Sequence, residues 1–390
     1  MQIQALLNLQ SKIANLQSYY LCSMKLTAYL PEHIFTGDEW LQDHAVIVQD
    51  GFVQSVISAS ALADEYHIHQ LPGVFLAPAF IDIQIYGASG KLLAVYPNAD
   101  ALQALYDYCY QGGAALFLPT VATNSLAVFH QCIDAVKSYW QQGGKGVYGL
   151  HLEGPWINPA KKGAHIEACI HPPTMQEVKD LLSYGKGVVK MITLAPEVCT
   201  PEVIAYLQSQ NIIISAGHSN ATYEQAWHAF EAGIPAVTHL YNAMSALQHR
   251  SPGLVGATFN HPSVRSSIIP DGHHVDYAAI RIAKKVMGRR LFAITDAVTE
   301  TASGPYQHQL EGDKYVSSGI LSGSALTMYK AFYNLVKQVD IEVEEALRMC
   351  SLYPAQVLRK DDLYGKIAPG YTAQFVALTK QLELSEVITG

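Results

Sequence analysis

The stretch that decides the fold is His151-Leu152-Glu153-Gly154-Pro155, followed after a short loop by Gly163-Ala164-His165. Glu153 closes the apolar run of residues 147–152, which is typical of a buried strand. A carboxylate where such a strand meets a Gly-Pro turn faces solvent or a pocket, and in a barrel of parallel strands active sites form at this end. By itself the pattern fits a loop cap and a surface histidine equally well, so the interpretation depends on how other strands end.

Further apolar segments alternate with helical patterns such as 101–110, 126–140, 223–232 and 278–287, which predicts a parallel sheet. Eight such units predict an α/β fold, a (β/α)8 TIM barrel. An open, doubly wound sheet is the alternative, but residues 84–90 lack the G-x-G-x-x-G turn that it needs after its first strand. The eight candidate strands are Ala79–Ile85, Leu116–Thr120, Val147–Glu153, Val188–Leu194, Ile212–His218, Ala236–His239, Ser266–Asp271 and Leu291–Asp296.

Both ends of the chain carry β patterns. Ala45–Val48, the turn Gln49-Asp50-Gly51 and Phe52–Ile57 predict a hairpin, and a second β pattern runs from Gly365 to Leu378. We therefore predict a small β-sandwich domain from residues 24–77 and 356–390, and a catalytic barrel from residues 78–355. Residues 1–23 have a helical pattern and are interpreted as an N-terminal extension.

Composition excludes several classes of protein. The chain has 390 residues, 49% hydrophobic and 15% charged, as in an ordinary soluble enzyme. A net charge of −8 argues against a nucleic-acid partner, and no apolar run or basic leader indicates a membrane span or signal peptide. The six cysteines form no C-x-x-C pair, which predicts reduced thiols and a cytoplasmic protein.

Polar residues recur where the candidate strands end. They are Glu153, His218, His239, Asp271 and Asp296, after the third, fifth, sixth, seventh and eighth strands. A single histidine in such a place is more often a hydrogen-bonded structural residue. Several at equivalent ends of different barrel strands converge on one spot, which predicts an active site.

One carboxylate and two imidazoles predict a site for a divalent metal. Zn²⁺ is held by two histidines and one glutamate in many hydrolases, and it activates a bound water molecule. Asp296 would then act as general base and return the proton to the leaving group. Nitrogen and oxygen ligands leave Fe, Co, Mn and Ni as alternatives to zinc.

Taken together, the motifs resemble those of the N-acetylglucosamine-6-phosphate deacetylases of the amidohydrolase superfamily, from about Met24 to the end of the chain. The number and order of the motifs carry this resemblance, since each is short. They are His151–Pro155, Lys162–His165, Gly217–Ala221, Thr238–Met244, Pro252–Leu254, Asp271–Val275, Thr295–Ala297, Leu321–Met328 and Leu352–Ala355.

The resemblance implies a role for each matching residue. Glu153, His218 and His239 would hold one metal ion per subunit, with Asp296 as acid/base and His165 polarising the acetyl carbonyl. The sugar phosphate would be bound by Arg250, by His274 and by the backbone of Asn242 and Ala243. The sugar pocket would be completed by Ala164, Asp271, Leu321, Ser322 and Gly323. It also implies a homodimer, in which one phosphate contact could come from the neighbouring subunit.

One departure concerns the first strand, where many amidohydrolases carry His-x-His for a second metal. Gln84 and Tyr86 stand at those two positions, so we predict one metal rather than two. The pair His67 and His69 lies before the barrel and is interpreted as exposed.

Three alternatives to this activity remain: two other substrates and a protein without catalytic activity. The galactosamine epimer would use the same residues. A cyclic amide, as in dihydroorotases, normally requires two metals and the His-x-His pair. A non-catalytic sugar-phosphate-binding barrel would have lost a ligand or the base, and this chain keeps both.

Overall fold

The computed structural model describes residues 26–390, and the predicted extension of residues 1–23 lies outside them. The described chain divides into two compact units: residues 26–78 together with Lys366–Gly390, and Ala79–Gly365. The strands are β1 (Thr27–Phe35), β2 (Trp40–Gln42), β3 (His44–Gln49), β4 (Phe52–Ser58), β5 (His67–Pro78), β6 (Phe80–Ile85), β7 (Gly87–Ala88), β8 (Lys91–Leu92), β9 (Ala114–Ala122), β10 (Leu150–Glu153), β11 (Val189–Leu194), β12 (Ile213–Ala216), β13 (Ala236–Val237), β14 (Arg265–Ile268), β15 (Leu291–Ala293), β16 (Gln309–Glu311), β17 (Lys314–Ser317), β18 (Ile320–Ser324), β19 (Gln374–Thr379) and β20 (Leu384–Thr389).

Among residues 26–390, the α-helices all belong to the second unit. They are α1 (Ala99–Gln111), α2 (Leu126–Gln141), α3 (Met175–Tyr184), α4 (Pro201–Ser209), α5 (Tyr223–Glu231), α6 (Gly253–Asn260), α7 (Tyr277–Met287), α8 (Met328–Lys337), α9 (Val343–Cys350) and α10 (Leu352–Val357). Short 3₁₀ turns cover Ala59–Ala61, Pro159–Lys161, Glu167–Cys169, Pro196–Val198 and Gly288–Arg290. Within residues 26–390, no helix is both long and apolar enough to cross a membrane.

The first unit is one hydrogen-bonded sheet with the order β20-β19-β5-β1-β3-β4, and β2 pairs with β1. The predicted hairpin is confirmed as β3 and β4, where Asp50 and Gly51 have φ values of 50° and 79°. Two successive left-handed residues are what a type I′ turn requires, and Asp-Gly supplies them. The predicted small β domain from both chain ends is present, and its strands belong to one hydrogen-bonded sheet that encloses a shared apolar core.

The second unit is the predicted barrel. All eight candidate strands are present, in the order β15-β14-β13-β12-β11-β10-β9-β6, and every pair is parallel. The sheet closes between its first and last strands, where Tyr86 N–H donates to Ala297 O at 2.9 Å and Asp296 N–H donates to Gln84 O at 2.9 Å. Closure leaves no free sheet edge and brings the carboxyl ends of all eight strands to one mouth.

Local sequence explains where several barrel helices begin. Asn98, Ser125, Thr174, Thr200 and Thr222 each accept a backbone N–H from the first turn of the helix that follows them. Such caps satisfy amide groups that have no partner inside the helix. Each cap fixes the residue at which the preceding loop ends and the helix begins, so the ends of these loops are defined.

The boundary between the units differs from the predicted one. Residues 355 and 356 lie inside helix α10, and the barrel unit continues to Gly365. The apolar residues Leu352, Tyr353 and Val357 of this helix are buried, so the segment belongs to the core of the barrel unit. The boundary that we predicted at residues 355 and 356 lies too early in the chain, because helix α10 is short and follows α9 directly.

Candidate active site

The polar residues that end the barrel strands meet at the mouth. Glu153 is the last residue of β10, and His218 and His239 lie two residues beyond β12 and β13. Asp296 follows β15 by three residues. All four side chains are buried, with exposed fractions between 2% and 8%. The strand ends therefore bring together residues from four separate parts of the chain, as we predicted.

The backbone at three of these residues is in the left-handed region. The φ angles of His218, His239 and Asp296 are 46°, 36° and 53°. Residues other than glycine adopt such angles at a cost and mainly where the surrounding structure holds them there, typically at functional sites. At each of these residues the chain therefore leaves the extended conformation of the strand.

One carboxylate oxygen of Glu153 faces the two histidines. Oε1 lies 3.1 Å from His239 Nε2 and 3.5 Å from His218 Nε2, and the two ring nitrogens lie 3.0 Å apart. Ligands of a tetrahedral Zn²⁺ ion at about 2.0–2.1 Å are separated by roughly 3.4 Å. Three electron-rich atoms at these distances need protons or a cation among them, and their spacing fits a divalent cation.

The electrostatics of the same atoms agree with a cation site. Burial by itself lowers the pKa of His239, but the hydrogen bond and charge of Glu153 outweigh it and raise that pKa. Burial likewise favours protonated Glu153, yet the neighbouring histidines hold its pKa well below the ordinary value. The site therefore keeps a carboxylate ionised although it is buried, as a metal ligand must be.

Outer contacts orient one imidazole toward this centre. His218 Nδ1 lies 2.9 Å from Lys161 O, and because a carbonyl only accepts, Nδ1 carries the proton and Nε2 keeps its lone pair for a metal. His239 Nδ1 has no hydrogen-bond partner within the described part of the chain. The tautomer of His218 is thus set by the protein, whereas that of His239 is not.

His165 lies against the other oxygen of Glu153. Its Nε2 is 3.1 Å from Oε2, and its Nδ1 is 2.6 Å from the hydroxyl of Thr123. Ligand atoms of Glu153, His165 and His218 also lie within 4.8 Å of one another, so this triad is a second candidate for metal binding. The first triad is favoured because His218 and His239 both face Oε1, whereas His165 shares Oε2 with the phenol of Tyr86.

Burial determines the protonation of His165. It lowers the pKa of His165 to about 4, and the charge of His218 acts in the same direction. A neutral imidazole beside an acceptor-only carboxylate oxygen carries its proton on Nε2, and the Thr123 hydroxyl, which also lies 3.3 Å from Glu153 O, then directs its proton to the nearer Nδ1 at 2.6 Å. Gly154 makes room for this contact, since a Cβ there would lie 2.1 Å from Thr123 Oγ1. His165 is thus held as a hydrogen-bond donor inside the site.

Gln84 and Tyr86, which replace the His-x-His pair, both enter the site. Gln84 Nε2 donates to Asp296 Oδ1 at 2.7 Å and to Glu153 Oε1 at 3.0 Å, and it lies 2.8 Å from the Tyr86 oxygen. The Tyr86 hydroxyl donates to Glu153 Oε2. We predicted from the sequence that neither residue is a metal ligand, but their hydrogen bonding to the carboxylates could not be predicted.

Asp296 lies in an environment that suits a base. Burial raises its pKa above the ordinary value; His239 opposes this shift, and the negative charge of Glu153 adds to it. A carboxyl group with a raised pKa binds a proton more readily and so serves better as a general base near neutral pH. The charges of His239 and His218 act on its carboxylate, and its role as general base stays a prediction.

The residues proposed for the phosphate and sugar lie around the mouth, with different degrees of burial. Asp271 Oδ2 accepts from His274 Nδ1 at 2.6 Å and is buried, so it orients His274. Arg250 lies on an exposed loop. The backbone N–H of Asn242 donates to His239 O at 2.9 Å, so that amide is already used within its loop.

The remaining sugar-pocket candidates lie near the mouth or on the small sheet inserted after β15. Ala164 precedes His165 and is partly exposed, and Leu321, Ser322 and Gly323 lie on β18. The Ser322 hydroxyl lies 2.8 Å from His308 Nδ1. The roles of these residues toward a sugar stay predictions.

Sequence reasoning missed several residues of the site. Thr123 follows the second barrel strand and belongs to the same class of strand-end polar residue, so the search for such residues could have found it. Glu197 accepts from Ser219, Asn220 and Asn158 and so braces the loop of His218. Tyr306 and His308 lie in a loop without a recognisable pattern, so no signal pointed to them.

Comparison with known proteins agrees with this geometry. The model of the amidohydrolase family matches residues 75–389, and that of the NagA composite domain matches residues 32–76. An N-acetylglucosamine-6-phosphate deacetylase of Haemophilus influenzae is 32% identical over 92% of this chain and 96% of its own. An N-acetylgalactosamine-6-phosphate deacetylase of a Shewanella species is 36% identical over 87% and 88%.

Solved structures agree as well. The crystal structure of N-acetylglucosamine-6-phosphate deacetylase from Pasteurella multocida has a TM-score of 0.88 at 30% identity, covering 94% of this chain and 100% of its own. Sequence match, fold and strand-end residues therefore point the same way: the chain belongs to the amidohydrolase family.

Proposed function

We propose that this protein is a metal-dependent hydrolase that removes acetate from N-acetyl-D-glucosamine 6-phosphate and leaves D-glucosamine 6-phosphate. The observation that carries the proposal is the convergence of Glu153 Oε1, His218 Nε2 and His239 Nε2 within 3.5 Å, beside the buried carboxylate of Asp296. The relatives that match nearly the whole chain are deacetylases of amino sugar 6-phosphates.

The metal would be held by Glu153, His218 and His239. A bound divalent ion, with zinc the first candidate and Fe, Co, Mn or Ni the alternatives, would act as a Lewis acid that activates water and polarises the amide carbonyl. Asp296 removes a proton from the attacking water and then gives it to the departing nitrogen of the sugar. His165, whose Nε2 proton faces Glu153 Oε2 in this structure, would turn that proton to the carbonyl oxygen of the substrate and so stabilise the negative charge that develops there.

We propose one metal per subunit rather than two. In amidohydrolases a second ion would need ligands at the first strand, and here Gln84 Nε2 and the Tyr86 hydroxyl both donate to Glu153. The partly positive hydrogens of these donors repel a second cation. They also offset the negative charge of Glu153, which a second cation would otherwise neutralise. The metal-to-protein ratio of the purified protein is the direct measure, with one as the expected value.

The substrate would be anchored through its phosphate by Arg250, His274 and the Asn242–Ala243 backbone, where the donor would be the Ala243 amide because the Asn242 amide is bonded to His239 O. Arginine offers a planar fork for phosphate oxygens, and His274 is held in place by Asp271.

We include a homodimer and a cytoplasmic location in the proposal. The cysteines within residues 26–390 are all unpaired, as in a reducing compartment.

The experiment that tests the proposal combines metal analysis with acetate release. Wild-type protein loaded with one divalent ion should release acetate from N-acetylglucosamine 6-phosphate. Asp296→Asn should keep the metal and lose most turnover, because the amide cannot accept the proton. Wild-type protein that retains its metal and releases no acetate would refute the activity, and an Asp296→Asn variant as active as wild type would refute the role of Asp296.

The galactosamine epimer is the second candidate substrate, since a relative that is 36% identical acts on it according to its name. The two sugars differ only at the 4-hydroxyl. The ratio of kcat/KM for the two epimers decides between them, and a ratio that favours N-acetylgalactosamine 6-phosphate would replace the first assignment within the same chemistry.

A further inference from the structure

Glu197 lies away from the reacting groups and yet contacts the loop of a metal-binding histidine. It belongs to the half-buried 3₁₀ turn Pro196–Val198 after β11, and it lines a surface groove together with residues of α4 and α5. It does not line the cavity that Glu153 shares with His165. Any part that Glu197 has in the reaction must therefore be exerted through other residues.

Both carboxylate oxygens of Glu197 accept hydrogen bonds from the loops of the neighbouring strands. Oε1 accepts from Asn158 Nδ2 at 3.0 Å and from the backbone N–H of Asn220 at 2.6 Å, and Oε2 accepts from the Ser219 hydroxyl at 2.7 Å. Asn158 lies after β10, whereas Ser219 and Asn220 lie after β12. We call Glu197 and these three residues the Glu197 clamp, because one carboxylate joins the loops on both sides of its own strand.

The Glu197 clamp holds the backbone around His218. Asn158 N–H donates to His218 O at 2.9 Å, and Ser219 and Asn220 directly follow His218 in the chain. His218 has a φ of 46°, and residues other than glycine keep such an angle only where the surrounding structure imposes it. The hydrogen bonds of the clamp supply that constraint at the residues next to His218.

The loop that begins at Asn158 also orients the ring of His218. Asn158 Oδ1 accepts a backbone N–H at 2.9 Å and so caps the 3₁₀ turn Pro159–Lys161. The carbonyl of Lys161, at the end of this turn, lies 2.9 Å from His218 Nδ1. Asn158 therefore connects Glu197 to the carbonyl that keeps Nε2 of His218 free for a metal ion.

Ser219 extends these connections to the loop of the second metal-binding histidine. Its backbone N–H donates to Ala243 O at 3.1 Å, and its carbonyl accepts from the N–H of Ser245 at 3.0 Å. Ala243 and Ser245 lie a few residues after His239, in the loop that follows β13. The Glu197 clamp is thus bonded to the loops of both histidines that we assign to the metal.

We propose that Glu197 is a positioning residue of the metal site, whose clamp holds His218 and the Lys161 carbonyl at the spacing that the metal ion requires. The inference rests on the proposed function and adds to it a residue that touches neither the ion nor the substrate. Removal of a residue that supports a metal ligand lowers metal affinity or activity by roughly 10- to 100-fold.

The test measures the dissociation constant of Zn²⁺ by competition with a chelator, and the visible absorption of the Co²⁺-loaded protein. Glu197→Ala removes all three hydrogen bonds to the carboxylate and should weaken Zn²⁺ binding by roughly 10- to 100-fold. The Co²⁺ absorption should change as well, because it depends on the geometry of the ligands. Asn158→Asp keeps the oxygen that caps the 3₁₀ turn but places a second carboxylate against Glu197, so it should also weaken Zn²⁺ binding.

Two controls separate the positioning of the metal ligand from folding stability. Glu224→Ala removes an exposed carboxylate from the first turn of α5 and should keep the wild-type affinity for Zn²⁺. Leu207→Ala removes a fully buried side chain of α4 and lowers the stability of the protein without removing a hydrogen bond of the Glu197 clamp. It should therefore also keep the wild-type affinity and the wild-type Co²⁺ absorption.

The outcomes distinguish this inference from the proposed function. If Glu197→Ala and Asn158→Asp bind Zn²⁺ as tightly as wild type, Glu197 does not position the metal ligand. Equal weakening in Leu207→Ala and Glu197→Ala would assign the effect to stability and would also overturn the inference. Wild-type protein that binds no divalent ion would instead refute the proposed function. Should Glu197→Ala not fold, Asn158→Asp decides the question.

Discussion

Gln84 and Asp296 are joined twice across the seam that closes the barrel. The backbone N–H of Asp296 donates to Gln84 O at 2.9 Å, and Gln84 Nε2 donates to Asp296 Oδ1 at 2.7 Å. The first bond closes the sheet between its first and last strands, and the second fixes the carboxylate of the proposed base. One residue thus couples closure of the fold to the position of a catalytic group.

A first prediction concerns Gln84. Gln84→Met keeps a similar length but removes the donor, so Asp296 and Glu153 lose a shared partner, and kcat should fall roughly 10- to 100-fold, as for other residues that support metal ligands. KM and metal content should change little. Steady-state kinetics and metal analysis check this, with Gln103→Met on the exposed surface of α1 as control. An unchanged kcat would show that the double link does not matter for catalysis.

A second prediction distinguishes the two candidate metal triads. His239→Ala should lose most of the bound metal, because His239 Nε2 and His218 Nε2 share Oε1 of Glu153. His165→Gln should retain the metal and lose turnover. The metal-to-protein ratio after dialysis against buffer checks both variants. The opposite pattern, with metal lost only in His165→Gln, would assign the ion to the triad of Glu153, His165 and His218.

A third prediction concerns recognition of the phosphate. Arg250→Ala should raise KM for the phosphorylated sugar by roughly 10- to 100-fold, since a hydrogen bond to a charged group contributes about 1.5–3 kcal/mol. Activity on unphosphorylated N-acetylglucosamine should be unchanged by this substitution. Arg289→Ala, which removes an exposed arginine after α7, serves as control. Equal loss on both sugars would place Arg250 outside phosphate binding.

A fourth prediction concerns stability in acid. His151 is fully buried inside the barrel, and burial lowers its pKa to about 4. Its Nδ1 donates to Ile83 O at 3.0 Å, and its Nε2 accepts from the Thr193 hydroxyl at 2.8 Å, so the folded protein requires the neutral ring. Because the unfolded chain binds this proton near pH 6.5, the free energy of unfolding should fall as pH drops from about 6.5 to 4, by about 3 kcal/mol from His151.

Urea unfolding at a series of pH values measures this effect. His151→Asn should be less stable at pH 7 but should lose less stability on acidification, because the titrating ring is gone. His67→Asn changes an exposed histidine on β5 and should follow the wild-type curve. A wild-type curve that is flat between pH 6.5 and 4 would contradict the assignment of a neutral buried ring.

The sequence by itself determined the barrel and the residues at its mouth. Apolar runs alternating with helical patterns specify parallel strands. Glu153, His218, His239 and Asp296 lie at the ends of these strands or within three residues of them. Strand ends in a closed barrel can only meet at one mouth, so the local pattern was enough to bring these residues together. The Asp50-Gly51 turn was equally readable, because its conformation depends on only two residues.

Only the tertiary structure decided how those residues are connected. The bond of Gln84 to Asp296 spans 212 positions of sequence, and that of Tyr86 to Glu153 spans 67. Periodicity reports which residues are buried but not which buried residues touch, since contacts across a core depend on how all strands pack at once.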